Sequence, residues 1–147
     1  MTTPDSITLE QTRLKNVRAE AHPYCVVCGQ SNPFGLGLKF VCEADGSVSA
    51  TFLGHAALEG YQGCLHGGMI ASLLDGAMTN CLFARGLTAM TGELKVRYRE
   101  PVQIGGEMRL RAWLDHSSPP LHWLAAELRQ GDCVKATATA RFREQSQ

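Results

Sequence analysis

The stretch GCLHGGMIASLLDGAM, from Gly63 to Met78, carries an imidazole at His66, a glycine pair at Gly67 and Gly68, and a lone carboxylate at Asp75 in an otherwise apolar run. Inside a helix two glycines would cost about 1 kcal/mol each relative to alanine, so the pair belongs at a first turn, where close approach to the backbone is useful. There the unpaired N–H groups and the positive end of the helix dipole can hold a carbonyl oxygen that becomes an oxyanion. His66 could orient the preceding loop or donate a further hydrogen bond. Asp75 is flanked on its helical face by Ala71, Met78 and Thr79. A carboxylate in such surroundings must be hydrated or hydrogen-bonded, or its charged form is disfavoured. A general base or a nucleophile is tuned in that way. The residues alone leave a second reading open, an Asp on a solvated face or at a subunit contact.

These groups need a helix to carry them, and the pattern supplies one. Ile70, Leu73, Leu74, Ala77, Met78 and Cys81 recur at helical spacing and predict a helix from about Gly67 to about Ala84, closed by Arg85 and Gly86. Before it, Leu36, Leu38, Phe40 and Cys42 alternate with other residues, Ala44 to Gly46 turn the chain, and Val48, Ala50 and Phe52 alternate again. That is a hairpin with one buried face. After the helix come four alternating segments: Leu94, Val96 and Tyr98; Met108 to Leu114; Leu121 to Leu128; and Val134 to Phe142. The last three are joined by short turns and so are antiparallel. The last segment is rich in alanine, which leaves room for the long helix to pack close. The fold class expected is α+β, a curved antiparallel sheet of about six strands wrapped around one long central helix.

A chain of 147 residues supports one hydrophobic core. Fourteen Lys and Arg balance fourteen Asp and Glu, and the basic residues are dispersed, which argues against a dedicated nucleic-acid surface. No run approaches the ~18 apolar residues of a membrane span, and the N-terminus lacks a secretory pattern. Six cysteines in a chain with ample apolar content read as reduced thiols of a cytoplasmic protein. Residues 1–34 are expected to form an N-terminal extension ending in a CxxCG loop, with the main domain over 35–147. Within the extension, Thr8 to Gln11 has capping-box spacing, and Leu14, Val17 and Arg18 suggest a short amphipathic helix.

LHGGMIASLLDGAM, followed by TGELKVRYREPVQIGG, resembles the hotdog-fold acyl-CoA thioesterases of the phenylacetate-pathway and general thioesterase superfamily type. In those proteins His-Gly-Gly opens the central helix and an acidic residue lies nine positions after the His, as Asp75 does after His66. The resemblance runs from about Gly35 to Phe142, and the leading CVVCGQSNPFGLGLKF is similar to the opening of one branch of the family. It implies hydrolysis of an acyl-CoA thioester. The carbonyl accepts from the Gly67 N–H, helped by Gly68, while Asp75 acts as general base on water or as nucleophile, with His66 beside them. Thr91 occupies the place of a Ser or Thr that helps hold the water. By strand parity with Glu93 and Lys95 it is expected on the face opposite the core, where a site can be shared between subunits of a homodimer or homotetramer.

Where several relatives place an Asn six residues before the His, this chain has Gly60, so Glu59 or Gln62 could substitute. Gly76 breaks helix propensity and could make room for an acyl chain or a partner helix. Lys95 and Arg97, with Arg99, form a basic row suited to CoA phosphates or to plain solvation. Cys25-x-x-Cys28 invites zinc, with His22 and Cys42 as further ligands, but a second ligand pair is absent and the stretch reads as an ordered loop. No metal and no cofactor is expected. The reading of another class is a non-catalytic module of the same fold that binds acyl-CoA or a related ligand, for which Gly60 is the argument.

Overall fold

The computed structural model describes residues 3–146; the outermost ends of the two expected segments, residues 1–2 and 147, lie outside the described residues. The chain opens with helix α1 (Pro4–Ala21). Pro4 suits a first helical turn, and Thr3 accepts from the Ser6 N–H at 3.2 Å as the N-cap. The helix therefore starts well before the expected box at Thr8, whose hydroxyl instead donates to the Pro4 carbonyl. Leu14 anchors α1 in the core.

Strands β1 (Val41–Cys42) and β2 (Val48–Leu53) precede the central helix α2 (Gly67–Phe83), and β3 (Ala89–Tyr98), β4 (Glu107–Ser118), β5 (Leu121–Gln130) and β6 (Cys133–Glu144) follow it. They form one antiparallel sheet in the order β1-β2-β4-β5-β6-β3. Helix α2 touches β2 through β6. Its Ile70, Leu73, Leu74, Ala77, Met78, Cys81, Leu82 and Phe83 are buried, each large side chain contributing roughly 1.5–3 kcal/mol by leaving water. Ala136, Ala138 and Ala140 of β6 are also buried, the small residues that let the helix approach the sheet.

The first expected strand is mostly not a ladder. Leu38, Phe40 and Cys42 are buried as their alternation requires, but only Val41 and Cys42 pair with β2. The Gln11 side chain of α1 takes over there, donating to the Phe40 carbonyl at 3.1 Å and accepting from the Cys42 N–H at 2.8 Å. It thereby satisfies backbone groups that an open sheet edge would leave to another chain. The opposite edge, β3, is exposed along most of its length.

Candidate active site

The turn that delivers α2 is pinned on two sides. Leu65 N–H donates to the Val102 carbonyl at 2.8 Å, Ile104 N–H to Gly63 at 3.0 Å, and His66 N–H to Leu58 at 2.9 Å. Glu59 Oε1 accepts from the Gly63 N–H at 2.5 Å, so this carboxylate holds the turn. Gly60 has a packing reason to be glycine: a Cβ there would lie 3.2 Å from His66 Cα and 3.4 Å from its ring. Gln62 is exposed on the turn.

His66 is the N-cap of α2, its Nδ1 accepting from the Gly68 N–H at 2.8 Å. The neutral ring then carries its proton on Nε2. Met69 and Ile70 N–H both donate to the His66 carbonyl, at 2.9 and 3.1 Å. Of the first four amides of the helix, Gly67 alone has no acceptor among the described residues. The Gly67 carbonyl is held in turn by the Tyr98 hydroxyl of β3, which donates to it at 2.7 Å. Beside this helix end lies a cavity of about 370 Å³ lined by Leu58, Glu59, His66, Gly68, Met69 and Ser72. The expected help of the Gly68 amide is thus diverted to the imidazole, and the free donor is Gly67.

Two turns on, Asp75 is half-buried, and the Thr91 hydroxyl donates to its Oδ1 at 2.6 Å. Burial pushes the Asp75 carboxyl above the ordinary carboxylate range; the Thr91 hydrogen bond opposes it, Cys25 adds to it and His22 subtracts from it. Thr91 reaches the helix because the strand is bulged at Gly92: Thr91 pairs with Phe142, Glu93 with Arg141, and Gly92 is the extra residue. One extra residue flips the alternation. Thr91 therefore shares the inner face with buried Phe142, and the expectation that it lies with Glu93 and Lys95 on the opposite face is corrected.

Gly76 is filled from the same chain. A Cβ there would stand 2.7 Å from Val27 Cγ1, so the space expected for an acyl chain or a partner helix belongs to the CxxC loop. Lys95 and Arg97 lie on the outer sheet face, bordering with Arg99, Trp113, Thr137 and Thr139 a depression of about 350 Å³. It is separated by the sheet from the helix, so these cations do not join His66, Gly67 and Asp75 within one chain. Sequence reasoning placed Tyr98 with the core and missed its hydrogen bond. The available signal was a tyrosine at an apolar strand position, whose hydroxyl needs a partner.

The sequence pattern of the thioesterase superfamily matches residues 62–137, the stretch that holds α2 and most of the sheet. The chain belongs to the thioesterase superfamily. Rat acyl-coenzyme A thioesterase THEM4 is 32% identical over 73 residues, covering 48% of this chain and 31% of the rat protein. This chain thus corresponds to about a third of that relative's length. Among solved structures, the E. coli PaaI protein from the phenylacetic acid degradation operon superposes with a TM-score of 0.78 at 16% identity, covering 95% of this chain and 96% of that one. The smu.793 protein of Streptococcus mutans, solved bound to acetyl CoA, superposes at 0.69 and 19% identity over 75% and 90% of the two chains. The hotdog architecture expected from the sequence is the architecture present. No helix among the described residues is long and apolar enough to cross a membrane.

Proposed function

We propose that this protein hydrolyses acyl-CoA thioesters. The observation that carries the reading is one helix bearing both a free first-turn N–H at Gly67 and a half-buried, Thr91-bonded carboxylate at Asp75. The Gly67 amide receives the thioester oxygen as it becomes an oxyanion, a task in which one lost donor costs about 10²–10³ in rate. Asp75, made more basic by burial, attacks the carbonyl or deprotonates the attacking water, and Thr91 fixes its orientation. His66 locks the turn through Nδ1 and offers Nε2–H as a second donor. The acyl-CoA bound to smu.793 and the activity in the name of rat THEM4 support the substrate class.

One chain does not complete this site. Eight residues separate Gly67 from Asp75, about 12 Å along the helix axis, whereas an attacking atom must come within about 3–3.5 Å of a carbonyl carbon held at the amide. The two halves therefore serve different thioesters, and a second copy related by a two-fold axis supplies the missing half of each. The exposed edge strand β3, with Met90 and Tyr98 on its surface, is where that copy would pair. Lys95 and Arg97 lie on the outer sheet face, so edge pairing alone leaves them across the sheet from the helix, and they would meet CoA phosphates only where a further copy packs on that face in a tetramer. Gly68 and Glu59 line the cavity beside the helix end, and Gly60 and Gln62 belong to the turn that leads into it. All six cysteines are free thiols, which supports a cytoplasmic setting.

The test is thiol release from a panel of acyl-CoAs. The protein turns over at least one member, and Asp75→Asn lowers that turnover by about 10²–10⁴-fold with the fold retained. Binding across the panel without turnover by the unmodified protein would favour the non-catalytic module.

A further inference from the structure

Behind the catalytic helix, His22, Cys25 and Cys28 bring one nitrogen and two sulfurs within 4.8 Å of one another. Cys28 Sγ stands 4.0 Å from His22 Nδ1. In a tetrahedral zinc site, bonds of about 2.3 Å to sulfur and 2.0–2.1 Å to nitrogen put those ligand atoms about 3.6 Å apart. The cluster thus lies within a few tenths of an ångström of that geometry at its measured pair.

The surrounding backbone holds the three donors in place. Gly29 N–H donates to the Cys25 carbonyl at 2.9 Å, Ser31 N–H to Pro23 at 3.0 Å, and Val27 N–H points at Cys25 Sγ at 3.4 Å. This last bond, from the residue two positions on, is the kind that supports a ligating thiolate. Any side chain at Gly29 would collide with Cys25 N at 2.4 Å and Pro23 O at 2.7 Å, so the turn depends on glycine directly after the second cysteine. Leu36 and Leu38 N–H tie the loop to the extended segment through Val26 and Val27. The His22 ring stands edge-on to Phe83 of α2, centroids 5.0 Å apart, which fixes its orientation. Asn80 of α2 abuts Cys28, and its buried Oδ1 has no hydrogen-bond partner. That oxygen is free to accept a hydrogen bond, as from a water that completes the tetrahedron.

We propose that His22, Cys25 and Cys28 bind one zinc(II) ion that ties the end of α1 and the CxxC loop to α2. Both thiols lose their protons to solvent on binding, and no electron is transferred. Cys42, considered with them from the sequence, lies instead near Cys81 and Glu10. The role is structural, because Val27 of the same loop fills the notch at Gly76 next to Asp75. It is independent of whether the protein is a hydrolase.

The experiment uses untagged, fully reduced full-length protein, stripped with a chelator and then given zinc(II) or cobalt(II). About one zinc is expected per chain, and cobalt should give thiolate-to-metal charge-transfer bands with tetrahedral d–d absorption. Zinc should also shield Cys25 and Cys28, located by peptide mass, from alkylation. Cys25→Ser/Cys28→Ser should lose both signals and Cys133→Ser should keep them. No metal uptake by the folded, reduced protein would overturn the proposal, as would unchanged uptake by the double variant. So would native protein carrying the mass loss of a Cys25–Cys28 disulfide in place of metal. The shielding measurement needs no variant, so a misfolded substitution leaves the proposal open to refutation.

Discussion

Substituting Gly76 by alanine pits helix propensity against packing, and the outcome can be worked from distances. Alanine in a helix interior is favoured over glycine by about 1 kcal/mol. At this site the new methyl would sit 2.7 Å from Val27 Cγ1 and 3.1 Å from Val27 Cβ. An ordinary contact needs about 3.4–4 Å, so Val27 or the helix must give way by roughly an ångström, and overpacking of that kind costs about 1–3 kcal/mol. Gly76→Ala is therefore expected to be neutral to destabilising, by up to about 2 kcal/mol. Val27→Ala alone should cost roughly 1.5–2.5 kcal/mol for two buried methyl groups. In the Val27→Ala background most of the clash is gone, and Gly76→Ala should now stabilise. The two substitutions are thus coupled by about 1–3 kcal/mol in a double-mutant cycle measured by urea unfolding. Additivity within about 0.5 kcal/mol, or stabilisation by Gly76→Ala on its own, would refute the claim that the CxxC loop seats on the helix at Asp75.

Two further predictions concern the Asp75 carboxyl. Its folded pKa is raised, mainly by burial, so protonated folded and unfolded states are alike at low pH and the cost of burying the charge appears as pH rises through the folded pKa. Asp75→Asn should accordingly raise Tm at pH 7, and the gain should fade as pH falls toward the ordinary value of 3.8; a gain constant with pH would contradict this. Thr91→Val removes the hydrogen bond that holds the pKa down, so the acidic limb of the thiol-release pH profile should move to higher pH, and an unmoved limb would remove Thr91 from the site.

The helix and most of the sheet are legible in the sequence because their signals are local. The apolar recurrence from Ile70 to Cys81 places α2 within a residue of its observed end, and the inner-face alternation of β4 to β6 matches their burial. What escaped reading depends on contacts distant in the chain. Parity misplaced Thr91 because a bulge at Gly92 inserts a residue that no pattern of apolar positions marks. The segment from Leu36 alternates like a strand but loses most of its ladder, since a glutamine some thirty residues earlier takes backbone groups of Phe40 and Cys42. Gly60 looked like a missing polar residue and is a close approach to His66. Gly76 looked like open space and is occupied by Val27. His66 and Asp75 fall on one helix as their spacing predicts, and the separation of about 12 Å between Gly67 and Asp75, on which the proposal of a shared site rests, follows from helical rise.

The central claim is that Gly67 of one copy and Asp75 of another act on the same thioester, and mixing two disabled variants tests it. Gly67→Pro removes the amide proton at a first helical position, where proline is tolerated. Asp75→Asn removes the carboxylate. Each alone should lose most acyl-CoA turnover. Unfolded together and refolded as random two-fold dimers, they should recover about a quarter of the unmodified rate, because each mixed dimer holds one intact site. No recovery in verified mixed dimers would contradict a site shared between copies, and near-normal turnover by Asp75→Asn alone would contradict the chemistry assigned to it.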